Sequence, residues 1–105
     1  MKQNTHEIQT VAVIGCGFIG YSWGIVFARA GLRVHMYNRK SPTLDSVKDR
    51  MREGLTFLAE EKVIEPEEVE AAINRVQTFD DLKAAVKDAD YIQECMWEDL
   101  PLKQR

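Results

Sequence analysis

The sequence predicts an α/β fold in which helices cover a parallel sheet, and three observations support this prediction. The apolar run Thr10-Val11-Ala12-Val13-Ile14 is typical of a central parallel strand that is buried on both faces. A cluster of glycines follows this run directly and opens a segment with helical periodicity. Strand-like and helix-like segments then alternate along the chain, which indicates right-handed crossovers between parallel strands.

The first helix is predicted to follow the glycines. It is expected to be amphipathic, because large apolar residues recur along it at roughly helical spacing: Ile19, Trp23, Val26, Phe27 and Ala30. Gly31 is placed to end this helix in a left-handed turn. A second strand is predicted over residues 33–38, so that strand, glycine loop, helix and strand make one βαβ unit.

A long second helix is predicted to begin after Ser41, a favourable N-cap, with Pro42 in the first helical position, and to end near Lys62. Its apolar residues are spaced by three and four: Leu44, Val47, Met51, Leu55 and Leu58. Pro66 restarts a third helix over residues 67–74, whose acidic first turn suits the helix dipole.

The remaining elements are short. A strand is predicted over residues 75–78, followed by a helix that Asp80 or Asp81 caps and that runs through Val86. A fourth strand is predicted over residues 91–96, and a further helix begins at Asp99.

Length and composition favour one domain, with residues 1–9 as a flexible leader and residues 10–105 as a domain that is incomplete at its C-terminal end. The net charge of −3 argues against a general nucleic-acid binder. The apolar stretches are too short to cross a membrane and the N-terminus lacks a secretory signal, so the cytoplasm is the predicted location. Cys16 and Cys95 fit no zinc pattern and are predicted to be reduced core residues.

The pattern Gly15-x-Gly17-x-x-Gly20, between a buried strand and a helix, predicts dinucleotide binding on a Rossmann-type, doubly wound sheet. Gly15 permits the tight turn, Gly17 lets a pyrophosphate approach the backbone, and Gly20 lets the helix pack closely on the strand. The amides of Phe18 and Ile19 lie where a helix N-terminus favours an anion. The alternative is a glycine turn that serves packing alone.

The end of the second strand bears on the choice of cofactor. Asn38 stands where NAD enzymes usually carry an Asp or Glu that binds the ribose hydroxyls. A carboxylate would repel a 2′-phosphate, whereas Asn does not, and Arg39 supplies a planar cationic group suited to phosphate. The cofactor is therefore predicted to be NAD(H) or NADP(H), with NADP(H) slightly favoured. The alternative is that Arg39 and Lys40 are solvated loop charges and that Asn38 binds the ribose of NAD.

These motifs, together with the run 91–95, the run Glu98-Asp99-Leu100 and Lys103, resemble the 3-hydroxyacyl-CoA dehydrogenase superfamily. Within it the likeness is greatest to the branch of lambda-crystallins, L-gulonate 3-dehydrogenases and carnitine dehydrogenases. The resemblance implies that Phe18 and Ile19 present their backbone to the cofactor phosphates. It also implies that Glu98 and Lys103 contact the cofactor near the nicotinamide, although an exposed ion pair is the alternative for these two. Asn38 departs from the Asp of the NAD-using members.

The resemblance implies an oxidoreductase that interconverts a 3-hydroxy acid, or its CoA thioester, and the 3-keto compound by hydride transfer. The catalytic His and Glu of the family match nothing in this chain, and the family's helical C-terminal domain is also absent, so the chain alone is predicted to be inactive. His6 in the leader and His35 within a strand are poor substitutes for a catalytic residue. A homodimer is expected of the full-length enzyme.

Two other functions stay open from the sequence alone. A non-catalytic module that binds or senses a dinucleotide would need the glycine loop but no catalytic residues. An α/β scaffold that binds no nucleotide would use the loop for packing only.

Overall fold

A computed structural model describes residues 8–95 of the chain. In chain order its elements are β1 (Thr10–Ile14), α1 (Phe18–Arg29), β2 (Arg33–Tyr37), α2 (Pro42–Glu60), α3 (Pro66–Ile73), β3 (Val76–Phe79), α4 (Leu82–Val86) and β4 (Tyr91–Glu94). The bounds lie within one or two residues of those predicted from the sequence. The helix predicted to begin at Asp99 lies outside the described residues. Within residues 8–95 no helix combines the length and apolar character needed to cross a membrane.

The four strands form one parallel sheet in the order β3-β2-β1-β4. β1 is central and buried, and its Val11 pairs with Val34 of β2 on one side and with Tyr91 of β4 on the other. The chain therefore builds outward from β1 through β2 to β3 and then returns to the opposite side of β1. The predicted Rossmann-type parallel sheet is confirmed.

The helices cover both faces of this sheet. On β2, Met36 lies under α1 and α2, where its sulfur and methyl approach Gly24. The neighbouring His35 points to the other face, where its Nδ1 lies 2.9 Å from the Ala85 carbonyl oxygen of α4. The reversal of strand order between β1 and β4 is a topological switch point. Ligands bind at such points in open α/β sheets, beyond the carboxyl ends of the strands.

The buried face of α1 differs from the one that its apolar spacing indicated. Its buried residues are Gly20, Gly24 and Ala28, whereas Trp23 and Val26 are 40% and 51% exposed. A Cβ atom at Gly24 would lie 2.8 Å from the Met36 sulfur and 2.9 Å from the Met51 methyl carbon. Because the helix axis lies this close to the sheet and to α2, only the smallest residues fit the interface, and the large apolar residues are displaced to its flanks.

The first and last described strands are joined at their starts by Asp90. Its carboxylate accepts hydrogen bonds from the backbone N–H groups of Gln9 and Thr10, at 2.9 and 3.0 Å. Its own N–H donates to the Thr10 carbonyl oxygen at 2.7 Å. The two bonds that the carboxylate accepts lower the pKa of Asp90 below its ordinary value, because they stabilise the ionised form.

Both ends of α2 are closed by local hydrogen bonds. At the start, the Ser41 hydroxyl accepts from the Leu44 N–H at 3.3 Å, as the predicted N-cap requires. At the end, Lys62 adopts a left-handed conformation with φ of 65°. Its N–H donates to the Ala59 carbonyl and the N–H of Val63 donates to the Leu58 carbonyl, which together form a Schellman motif. A position of this kind usually carries Gly.

Lys62→Gly is expected to stabilise the fold by about 0.5–1 kcal/mol, because Gly adopts a positive φ without the steric cost that a Cβ atom adds. Urea denaturation at neutral pH measures the change. Lys87→Gly is the matched control, since Lys87 caps α4 at φ of −52° and Gly brings no relief there. An equal loss of stability in both variants would contradict the expectation.

Asp90→Asn is expected to lower stability at pH 7 and to flatten its dependence on pH. A carboxyl whose pKa is lower in the folded state stabilises the fold while it is ionised. That contribution disappears as the pH falls below about 4 and through the lowered pKa. Urea denaturation at pH 7 and pH 3 should show a smaller pH-dependent loss in Asp90→Asn than in the unmodified protein. Asp88→Asn, at an exposed carboxylate two residues away, should leave that loss unchanged; an unaltered loss in Asp90→Asn would refute the role of Asp90.

Candidate functional site

The glycine loop, residues 15–20, turns sharply between β1 and α1. Gly15 has a φ of 112°, which favours Gly, and its N–H donates to the Tyr37 carbonyl oxygen at 2.8 Å. A Cβ atom added at Gly20 would overlap the carbonyl oxygen of Gly15, so the start of α1 lies directly against the end of β1. The tight turn and the close packing predicted from the glycine spacing are both present.

The N-terminus of α1 presents backbone amides at the carboxyl edge of the sheet. Gly17 is its N-cap, contributes no side-chain bond, and accepts the first helical bond from the Tyr21 N–H at 2.9 Å. Within residues 8–95 no protein group accepts a hydrogen bond from the amides of Phe18 and Ile19. The first turn carries no acidic residue, so nothing there compensates the positive end of the helix dipole. Such an end can bind an anion.

Asn38 lies just after β2, and its side chain reaches the glycine loop. Its Oδ1 accepts from the Cys16 N–H at 3.2 Å. Its Nδ2 donates to the Arg39 carbonyl oxygen at 3.2 Å and to the Ser41 hydroxyl at 3.1 Å. The structure therefore brings together Asn38 and the loop, two features that the sequence assigned to one cofactor site. The role of Ser41 beyond capping α2 was missed, although a polar side chain three residues after Asn38 was the available signal.

Arg39 and Lys40 are exposed beside this edge of the sheet. The backbone carbonyl of Arg39 accepts from Asn38 and from the Ser41 hydroxyl, at 3.2 and 2.8 Å, which fixes the backbone from which its side chain extends. The Arg39 guanidinium has no ion-pair partner within residues 8–95. It is therefore available to an anionic ligand.

The two cysteines line the inner side of the loop. Both carry reduced thiols and are 1% exposed, as predicted for core residues. Burial, with a smaller contribution from the nearby Cys95, raises the pKa of Cys16 to about 12, so that its thiol is neutral at pH 7. Its sulfur lies 3.4 Å from the Tyr37 carbonyl oxygen, to which the thiol donates. The thiol thus anchors the loop and is not a nucleophile.

The other sequence-predicted candidates divide into two groups. His35 is held by the Ala85 carbonyl and lies against the Phe79 ring, with centroids 4.6 Å apart, so the structure places it in the packing between β2, β3 and α4. Glu98, Lys103 and His6 lie outside the described residues.

The chain is similar to proteins of one family. Residues 10–105 match the family model described as 3-hydroxyacyl-CoA dehydrogenase, NAD binding domain. The lambda-crystallin homolog of Bos taurus is 32% identical over 96 residues, which are 90% of this chain and 30% of that protein.

Solved structures agree in fold. A structure solved in a study of dual catalysis of dicarbonyl compounds by diketoreductase superposes with a TM-score of 0.78 at 34% identity, over 92% of this chain and 35% of that chain. The 3-hydroxybutyryl-CoA dehydrogenase of Escherichia coli superposes with a TM-score of 0.80 at 28% identity, over 93% of this chain and 21% of that chain.

The chain spans about a third or less of the length of these relatives. The match to this family supports neither a sensing module nor a scaffold that binds no nucleotide. A domain described as NAD-binding is consistent with the unpaired amides of Phe18 and Ile19. The chain belongs to the NAD-binding domains of the 3-hydroxyacyl-CoA dehydrogenase family of oxidoreductases.

Proposed function

We propose that the glycine loop binds the pyrophosphate of a nicotinamide dinucleotide, that Arg39 lets the site accept NADP(H) as well as NAD(H), and that the whole protein is a 3-hydroxy acid or 3-hydroxyacyl-CoA dehydrogenase. The proposal rests on the amides of Phe18 and Ile19, which have no hydrogen-bond acceptor within residues 8–95. They follow a turn whose glycines have no side chains to cover the backbone. The family match supports a nicotinamide cofactor.

The residues of the loop fit a pyrophosphate. Phosphate oxygens need donors and tolerate no nearby carboxylate, and the first turn of α1 supplies N–H groups with no acidic residue. Gly17 has no side chain to stand between the backbone and the ligand, and Gly20 holds the helix against β1 so that the amides stay at the sheet edge. Phe18, which is 71% exposed, directs its ring away from the core and leaves its amide free.

We assign the selection between NAD(H) and NADP(H) to Asn38 and Arg39, which follow β2. Asn38 brings no negative charge to the position of the adenosine 2′ group, and the exposed Arg39 guanidinium can donate two hydrogen bonds to a phosphate. A surface arginine that has no protein partner within residues 8–95 gives up no ion pair when it binds a ligand. These two features support acceptance of NADP(H).

The reaction follows from the cofactor and the family. When bound, the nicotinamide ring exchanges a hydride with the carbon of a secondary alcohol, and the protein orients the two partners. In this chain the loop and α1 hold the dinucleotide, while Glu98 and Lys103 are proposed to contact it near the nicotinamide. His35 is engaged by α4 and does not serve as the proton acceptor, so we expect the 105-residue chain to bind cofactor without turnover.

The first test changes the loop itself. Gly20→Ala places a methyl group against the Gly15 carbonyl, so the loop must shift; we expect a loss of about 1–3 kcal/mol of stability and at least tenfold weaker NADH binding. Calorimetric titration and thermal unfolding measure the two effects. Gly31→Ala is the matched control, because Gly31 has a φ of 93° but open space around it: it should lose stability and keep its NADH affinity. Unchanged NADH affinity in a folded Gly20→Ala protein would refute the pyrophosphate site.

The second test separates the cofactors. Arg39→Ala is expected to weaken NADPH binding by about 10- to 100-fold, as for a lost hydrogen bond to a charged group, and to change NADH binding less than twofold. Arg50→Ala removes an exposed positive charge from α2 and controls for net charge. Calorimetric titration of each variant with both cofactors is the measurement. Equal losses for NADH and NADPH would overturn the assignment of Arg39 to the 2′-phosphate.

A further inference from the structure

We infer that Asn38 acts as a positioning residue for the glycine loop, together with Ser41, and does not read the cofactor ribose. The inference rests on the proposed binding of a dinucleotide at the loop and assigns a different role to the residue at its edge. It follows from the hydrogen bonds of the Asn38 carboxamide, which are already directed at the protein.

The donors of Asn38 are fully used. A carboxamide has two N–H donors, and in this site one donates to the Arg39 carbonyl oxygen and the other to the Ser41 hydroxyl. To donate to a 2′-phosphate or to a ribose oxygen, Asn38 would have to release one of these bonds. Recognition of the 2′ group therefore passes to Arg39, and Asn38 contributes to binding through the loop.

The carboxamide oxygen of Asn38 forms a hydrogen bond with the middle of the glycine loop. Its Oδ1 accepts a hydrogen bond from the Cys16 N–H at 3.2 Å. This N–H belongs to the peptide group that joins Gly15 and Cys16. Cys16 is 1% exposed, and a buried N–H that loses its acceptor is costly, so this bond fixes the orientation of that peptide. The next residue is Gly17, the N-cap of α1, so the same bond sets where the free amides begin.

Ser41 completes the arrangement by joining it to α2. Its hydroxyl donates to the Arg39 carbonyl at 2.8 Å and accepts from the Leu44 N–H and from Asn38. A hydroxyl has one donor and two acceptor sites, so Ser41 is also saturated. The glycine loop and the N-terminus of the 19-residue α2 are thereby linked through two side chains.

This arrangement explains why Asn suits position 38. An Asp there would keep the acceptor for the Cys16 N–H but would lose both donors. It would also set a carboxylate against the Arg39 carbonyl oxygen, with which it cannot form a hydrogen bond. Asn38→Asp should therefore preserve the bond to the loop and loosen the bonds to residues 39 and 41.

The test compares Asn38→Ala, Asn38→Asp and Ser41→Ala, with Asn74→Ala at an exposed asparagine as control. Each is titrated with NADH, NADPH and NADH whose adenosine lacks the 2′-hydroxyl. For Asn38→Ala we expect about tenfold weaker binding of all three, by the same factor, because the loss lies in the loop. A loss seen with NADH or NADPH, which carry an oxygen at the adenosine 2′ position, but not with the 2′-deoxy analogue would show that Asn38 reads the ribose and would overturn the inference.

Amide hydrogen exchange of the ligand-free protein tests the inference independently of cofactor binding. Asn38→Ala should accelerate exchange at Cys16 at least tenfold, Asn38→Asp should restore most of the protection, and Ser41→Ala should accelerate exchange at Leu44. Unchanged exchange at Cys16 in Asn38→Ala would also overturn the inference. If the unmodified protein binds no cofactor, the proposed function fails, while the exchange data still decide the role of Asn38.

Discussion

The close approach of α1 to β1 is the constraint on which the site depends. The backbone of Gly20 lies against the Gly15 carbonyl, and one turn later Gly24 lies against Met36 and Met51. These contacts fix the height of the helix above the sheet and direct its N-terminus to the edge where β1 ends. The same pair of glycines therefore sets both the packing of α1 and the position of its free amides.

A second constraint holds the loop from the side of β2. The Tyr37 carbonyl receives the Gly15 N–H and the Cys16 thiol, and Asn38 receives the Cys16 N–H. Three groups of the loop are thus satisfied by two consecutive residues. The amides of Phe18 and Ile19, at the start of α1, have no protein partner within residues 8–95, so this framework holds unpaired donors in fixed positions.

The sequence was sufficient for the strands, the helices and the loop, because each has a local cause. An apolar run marks β1, Ser41 with Pro42 marks the start of α2, and the glycine spacing marks the turn. The orientation of α1 was not predictable in this way: Trp23 and Val26 are apolar, but the glycines decide which face can approach the sheet. The partners of Asn38 were also missed, since a hydrogen bond to Cys16 across 22 positions depends on strand register. The choice between Asp80 and Asp81 was settled only by geometry, and Asp81 caps α4.

The position of β1 has a consequence for synthesis on the ribosome. One side of β1 pairs with β2, which follows soon in the chain, but the other side pairs with β4, and Asp90 bonds to Thr10 across 80 positions. At about 5–20 residues per second, the ribosome needs several seconds to make that intervening stretch. During that interval the most apolar strand of the domain has an open edge, to which another nascent chain can add. A pause in synthesis between β2 and β4 would lengthen this exposure.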